Sequence, residues 1–495
     1  MKMKKILDIK YLSFLVCGIV ITFISVFNAF MYVGLIEDGS YRFFEALTRE
    51  NFLLGSGGFP FFPYNLRYFS GMFSHLAVGF SVNYFGILNI KYLLYIFTFV
   101  SYFKFLPVLG VIYLNLPKNK KQFFEIILLS FLLIFVFASY QVWTENIITS
   151  LFVWGLFVIF YYVDFDKLSV FNKFCMVIFS FMLISSHQMV LVFIPVLLVI
   201  AIKKHISAHN LKFSSEIVLY ISYILLLVAI PFNFFGAFDM FFETPACSGH
   251  MQRYASVMPL LANTTFLLTF IFVALILFLS FFKNDNKNDN IKYLITGTLL
   301  YILLKLLLLK IPTESHFPII TLGFHITLFF LILLICIGFF RIKIKYKYIR
   351  IINLTLCLVI YLNSIHYGLF WKYYLTTVNQ YITTNQKITV DYSDTKVKSY
   401  PILMRGSEDE KEKIFPKDYR TIHADYILYI LLFMESLFGK YNVNDFVSLK
   451  IPQGYVCNDI KNSTLFFVIQ RKSRLKKIGI DIDSFIKVNG NSILQ

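Results

Sequence analysis

Residues 11–35, YLSFLVCGIVITFISVFNAFMYVGL, carry no charged side chain, and as a helix they extend about 37 Å, enough to cross the roughly 30 Å hydrocarbon layer of a bilayer. A segment in hydrocarbon has no water to satisfy its N–H and C=O groups, so a run of this kind is restricted to helix. Further apolar runs lie near 92–116, 123–141, 147–163, 217–237, 264–282, 293–311, 320–340 and 351–371. With 58% hydrophobic and 15% charged residues in 495, the chain has more apolar surface than one water-soluble core encloses. The sequence predicts an all-α polytopic membrane protein of about 10–11 spans, two of them short. High Phe and Tyr counts, 59 and 32 against 22 Gly, predict bulky lipid-facing spans and disfavour a glycine-lined pore.

The basic residues set the orientation. MKMKK at the start, PKNKK at 117–121, KNDNKNDNIK and RIKIKYKYIR all fall between apolar runs, and positive-inside bias assigns each to the cytoplasm. This accounts for the net charge of +18 without a nucleic-acid partner. The first run is too long for a cleaved signal and lacks a small-residue cleavage site, so it is predicted to be a retained span. Residues 37–91 then form one long outer segment. Within it SYRFFEALTREN and NLRYFSGMFSHLAVGFSVNYF, separated by GSGGFPFFP, mix charge with apolar faces and predict two helices lying on the membrane. Between Lys173 and Lys203 the apolar stretch is broken by SSHQ (185–188). It is too long for one span and short for two, which predicts two abbreviated helices lining a cavity. Parity leaves residues 372–495 outside as a small C-terminal α+β domain, with KITVDYS and TLFFVIQRK as strand-like pieces. The apolar run 426–438 is short and reads as a buried or interfacial helix; were it to cross, RKSRLKK (471–477) would be cytoplasmic. No internal repeat suggests inverted halves.

Chemistry concentrates on the outer side. Glu37 and Asp38 close the first span and are followed by Tyr41 and Arg42. Such acids serve as a solvated helix end or, when partly desolvated at a membrane surface, as proton acceptors. Sugar transfer needs such a group, because an acceptor hydroxyl must lose its proton as it attacks an anomeric carbon, and a second acid can orient that acceptor. A lipid-linked sugar phosphate is the usual donor on that face, and its departing phosphate needs cations. Arg42, Arg49, Arg67, Arg253 and Lys310 are available, each of which also reads as a snorkelling interfacial base. Lys305 lies within a span about 7 Å along the helix from Lys310, and charge there is costly unless paired or used. His187 at the SSHQ break either binds phosphate or supports the broken backbone, and Glu145 in WTEN either positions the acceptor or ends a helix. Lys104 and Lys305 are the intramembrane charges that a transporter reading draws on. No His, Asp and Glu cluster has metal-ligand spacing, so the expected chemistry needs no metal and no cofactor. Cys17, Cys175, Cys336 and Cys357 fall in spans, whereas Cys247 and Cys457 lie on the oxidising side, as a disulfide pinning the tail beside Arg253 or as two separate thiols.

An acidic pair at the outer end of the first span, in E-D-x-x-Y (37–41), resembles the D-D-x-x-Y or D-x-E signature of GT-C-type integral-membrane glycosyltransferases. In size and layout the chain is most similar to the phage-encoded O-antigen serotype-converting glucosyltransferases. The resemblance implies a GT-C-like catalytic domain over 1–371 and a periplasmic domain over 372–495 in the bacterial inner membrane. It also implies an undecaprenyl-phosphate-linked glucose donor and a lipid-linked polysaccharide acceptor. Carried over, Asp38 is the general base, Glu37 its partner and Tyr41 a substrate contact; Glu in place of the first Asp departs from the signature. An O-antigen polymerase, a lipid-linked glycan transporter or flippase, and a structural assembly protein are the other readings.

Overall fold

The computed structural model of the chain describes residues 11–36, 38–48, 68–138, 145–242 except 185, 188–189, 191–192 and 209–210, then 317–340 and 346–385. Of the remainder it describes 388–391, helical positions between 430 and 439, 447–450, 471–480 and 486–488. The helices are α1 (Leu12–Phe30), α2 (Asp38–Thr48), α3 (Tyr68–Asn83), α4 (Ile90–Asn115, interrupted at Lys104), α5 (Phe123–Ala138), α6 (Glu145–Tyr162), α7 (Val170–Ile184), α8 (Ile194–Ser207), α9 (Phe213–Phe242), α10 (Phe317–Phe340), α11 (Tyr346–Asn385) and the short α12 (Lys472–Lys477). Four are long and apolar enough to cross a membrane: α1, α4, α6 and the Tyr346–Thr377 part of α11. The predicted runs at 264–282 and 293–311 lie outside the described residues.

Helix α6 is the centre of the bundle. It is apolar on all sides beyond its first two turns and buried at every position from Glu145 to Phe160, as a helix is when neighbours surround it. The second half of α4, then α7, α8 and α10, pack around it. Lipid offers no hydrophobic gain for helix association, so close approach and interhelical hydrogen bonds carry more of the packing. Gly155 of α6 lies flush against the Phe179 ring of α7. Thr327 Oγ1 of α10 donates to Ser150 Oγ of α6 at 2.8 Å, and Gly323, one turn earlier, leaves room for Asn146, whose Nδ2 would sit 2.6 Å from any added Cβ.

Helices α1 and α11 form a second wall with α4 and α5. At the end marked by Lys118, the Glu125 carboxylate in the first turn of α5 is buried. It accepts Arg350 Nε at 2.9 Å and Asn353 Nδ2 at 2.9 Å, while the Glu125 carbonyl accepts Asn353 Nδ2 at 2.8 Å. At the opposite end, called the Asp38 end below, Trp371 Nε1 of α11 donates to the Tyr32 carbonyl at 2.8 Å.

That bond holds an unusual turn. Tyr32 follows α1 in the left-handed region, φ 58° and ψ 28°, which costs a non-glycine residue about 1–3 kcal/mol. Its ring stacks on Tyr95 at 6.0 Å, meets the Phe438 edge at 5.8 Å and lies 5.9 Å from Lys372 Nζ. The reversed residue feeds a 3-10 turn, Val33–Leu35, which turns the chain into α2. Gly34 in that turn abuts Thr98 Oγ1 and Leu94 Cδ1 of α4, and Thr98 is itself held by donating to the Leu94 carbonyl at 2.8 Å. Gly34→Ala is expected to destabilise the protein by about 1–3 kcal/mol through overpacking. Thermal unfolding in detergent checks this, with Thr98→Ala in the same chain restoring part of the loss.

In the C-terminal region β1 (Ile388–Asp391), β2 (Val447–Lys450) and β3 (Ile486–Val488) form a parallel sheet in that order, Ile388 opposite Val447 and Val447 opposite Ile486. Parallel neighbours require long crossovers, and the connections here contain the helical positions 430, 432–434 and 436–438 and α12. The first strand falls within KITVDYS. Of TLFFVIQRK, the described residues 471–472 belong to the start of α12.

Candidate functional site

Helix α2 starts at Asp38 and runs to Thr48. Positions 38, 41, 42 and 45 share one helical face by register. On that face lies a carboxylate that the sequence reading passed over. Glu45 is 2% exposed and accepts Tyr41 OH at 2.8 Å and Arg42 Nη1 at 2.9 Å. The Arg42 guanidinium also lies 5.0 Å from the Tyr41 ring centroid. A charge-assisted bond on one side and a ring on the other fix the plane of the arginine fork, the part that recognises a phosphate.

The opposite face of α2 is apolar and enclosed by protein. Phe43 and Phe44 are fully buried, with Phe43 against Phe97 of α4 at 5.4 Å and Phe433 of the C-terminal region at 5.0 Å. Helical residues around 433, far along the chain, pack on this face through Phe433. Those residues, Ile430, Leu432, Phe433, Met434 and Leu437, are buried.

A second cluster gathers around α6. Glu145 is its first residue, 3% exposed, and its Oε2 lies 3.9 Å from Nε2 of His187, also buried. His187 sits at the break between α7 and α8 with its ring 4.7 Å from that of Phe324. Lys104, at the interruption in α4, is buried and interacts electrostatically with Glu145. Its ammonium also lies 5.5 Å from the Phe105 ring.

One face of α4 joins the two clusters. Phe97, Ser101 and Lys104 are spaced i, i+4, i+7, so they line up over about 10 Å of helix axis. Phe97 touches Phe43 of α2 and stacks with buried His75 of α3 at 6.4 Å. Ser101 and Ser74 share a hydrogen bond at 2.7 Å. Lys104 then faces the charge of Glu145.

The structure thus brings Tyr41 and Arg42 together with Glu45, and Glu145 with His187. Asp38 begins the helix of the first group; Glu37, Arg49, Arg67, Arg253, Lys305 and Lys310 lie outside the described residues, as do Cys247 and Cys457. The i, i+3, i+4, i+7 spacing of 38, 41, 42 and 45 was the signal for Glu45. His75 had no such signal, since its burial depends on α3 docking against Phe97. No family model, curated protein or solved structure matches the chain.

Proposed function

We propose that the protein is a polyprenyl-phosphate-sugar-dependent glycosyltransferase of GT-C-like architecture, acting at the periplasmic face of a bacterial inner membrane. The donor in this reading is undecaprenyl-phosphate glucose and the acceptor a lipid-linked O-antigen or related polysaccharide. The acceptor hydroxyl gives its proton to the Asp38 carboxylate as its oxygen attacks the anomeric carbon. The bond from that carbon to the phosphate oxygen breaks, and the polyprenyl phosphate leaves with the electron pair. Glu37 orients the acceptor and Tyr41 contacts substrate. Arg42 meets the departing phosphate with help from Arg67, Arg253, Lys305 and Lys310, while Glu145 and His187 line the acceptor side. The three strands and α12 belong, in this reading, to a periplasmic α+β domain over 372–495.

The observation that supports this best is the ordered face of α2, on which buried Glu45 holds Tyr41 and Arg42 in fixed geometry one to two turns beyond Asp38. Preorganised cations cost no rearrangement when charge develops on a leaving phosphate. One observation favours transport as a second reading: Lys104, Glu145 and His187 are buried ionisable groups among apolar helices, a common feature of ion and substrate pathways. Mass spectrometry of the surface polysaccharide from a host with and without the gene separates the two. A gain of one hexose per repeat is the expected result. An unchanged repeat mass with altered amounts of lipid-linked glycan on the two sides of the membrane refutes transfer and favours transport.

A further inference from the structure

The run RKSRLKK (471–477) packs five cations into seven residues. Helix α12 buries Leu475, with Ile478 and Ile480 just after it, and exposes Lys472, Ser473, Lys476 and Lys477. Arg471 and Arg474 anchor it: their Nη1 atoms donate to the Thr48 carbonyl at 2.8 and 2.7 Å. Thr48 is the last residue of α2, and the end of a helix leaves carbonyls in need of such donors.

This anchorage fixes which end of the bundle carries the cluster. Thr48 lies five residues, about 7.5 Å of helix, from Phe43, and Phe43 touches Phe97 near the start of α4. The cluster therefore belongs to the Asp38 end, opposite Lys118–Lys121. Positive-inside bias accounts for basic clusters at one end of a bundle; it does not account for a dense one fixed at the other. Exposed aromatics at the same end, Tyr84, Phe85, Tyr92 and Tyr373, resemble the belt that marks a membrane interface.

We propose that Lys472, Lys476 and Lys477 form a docking surface for the anionic phospholipid headgroups of the leaflet at the Asp38 end, tethering the C-terminal region to the bilayer beside α2. The chemistry favours lipid over a glycan. The exposed positions of α12 are lysine and serine, with no aromatic ring to stack on a sugar, and flexible ammonium point charges suit a fluid array of phosphates. The surface requires no sugar transfer, so it stands or falls separately from the enzymatic reading.

The test uses the full chain in nanodiscs of phosphatidylcholine mixed with phosphatidylglycerol, with a benzophenone side chain introduced at Ser473. Photocrosslinking followed by mass spectrometry is expected to capture phosphatidylglycerol well above its share of the lipid. The excess should fall about tenfold in Lys472→Gln/Lys476→Gln/Lys477→Gln and shrink at high salt. The triple Lys→Arg variant should keep it, which separates charge loss from misfolding. Crosslinking that merely follows lipid composition overturns the proposal, as does an excess that survives the glutamine variant.

Discussion

Asp38→Asn is expected to lower the proposed sugar transfer about 100- to 10,000-fold, the range lost when a positioned general base is removed. Asparagine has nearly the shape of aspartate and gives up only a charge–dipole interaction of about 0.3–1 kcal/mol at the start of a helix, so α2 should still form and Glu45 should still hold Tyr41 and Arg42. The substitution removes basicity and leaves the scaffold. The loss should therefore appear in kcat, with KM for the lipid donor little changed, the pattern of an interaction used only in the transition state. Asp38→Glu keeps a carboxylate but moves it by a methylene, and it should retain part of the rate. Vesicles charged with polyprenyl-phosphate glucose and lipid-linked acceptor give the measurement. Full transfer by the asparagine variant would remove Asp38 from the mechanism.

Arg350→Met carries the largest expected cost in stability, about 3–5 kcal/mol, because it leaves the buried Glu125 carboxylate without its cation. The side chain of methionine fills much of the same volume, so lost packing adds little. Asn353 still donates to Glu125, but a neutral amide does not balance the charge. Removing both charges in Glu125→Gln/Arg350→Met should recover most of the loss, since an uncharged pair has far less to desolvate. Unfolding followed by Trp fluorescence in detergent reads both variants. The effect should extend to the far end of the bundle. Arg350 and Trp371 are 21 residues apart on α11, about 31 Å, and Trp371 is the residue that clamps the left-handed Tyr32 turn feeding α2. If α11 slips at Glu125, the Tyr32 clamp loosens, and protection of the α2 amides from hydrogen exchange should fall with it.

Several elements were readable before any coordinates. Helix α1 follows from a run without charge, the separation of α2 from α3 from the Gly/Pro-rich stretch between them, and the break between α7 and α8 from SSHQ inside an otherwise apolar segment. The same local reading picked out Tyr41, Arg42, Glu145 and His187. Glu45 is absent from it, because a glutamate in a mixed helix reads as one more solvated charge. It also missed Glu125 and Arg350, each of which is ordinary beside a basic loop.

What the sequence by itself determined is which segments are helical and apolar enough to enter a bilayer, because the free energy of placing a segment in lipid is nearly a sum over its own residues. What only the tertiary structure decided is which charges are buried and what they face. The Phe43 face of α2 is enclosed because Phe433 arrives from the C-terminal region and Phe97 from α4; Glu145 lies beside His187 and in the field of Lys104 because α4, α6 and the break between α7 and α8 converge; Thr48 is capped from residues 471 and 474. Apart from the local pairing of Glu45 with Tyr41 and Arg42, these are properties of contacts between distant segments, so neither composition nor spacing within any one of them contains that information.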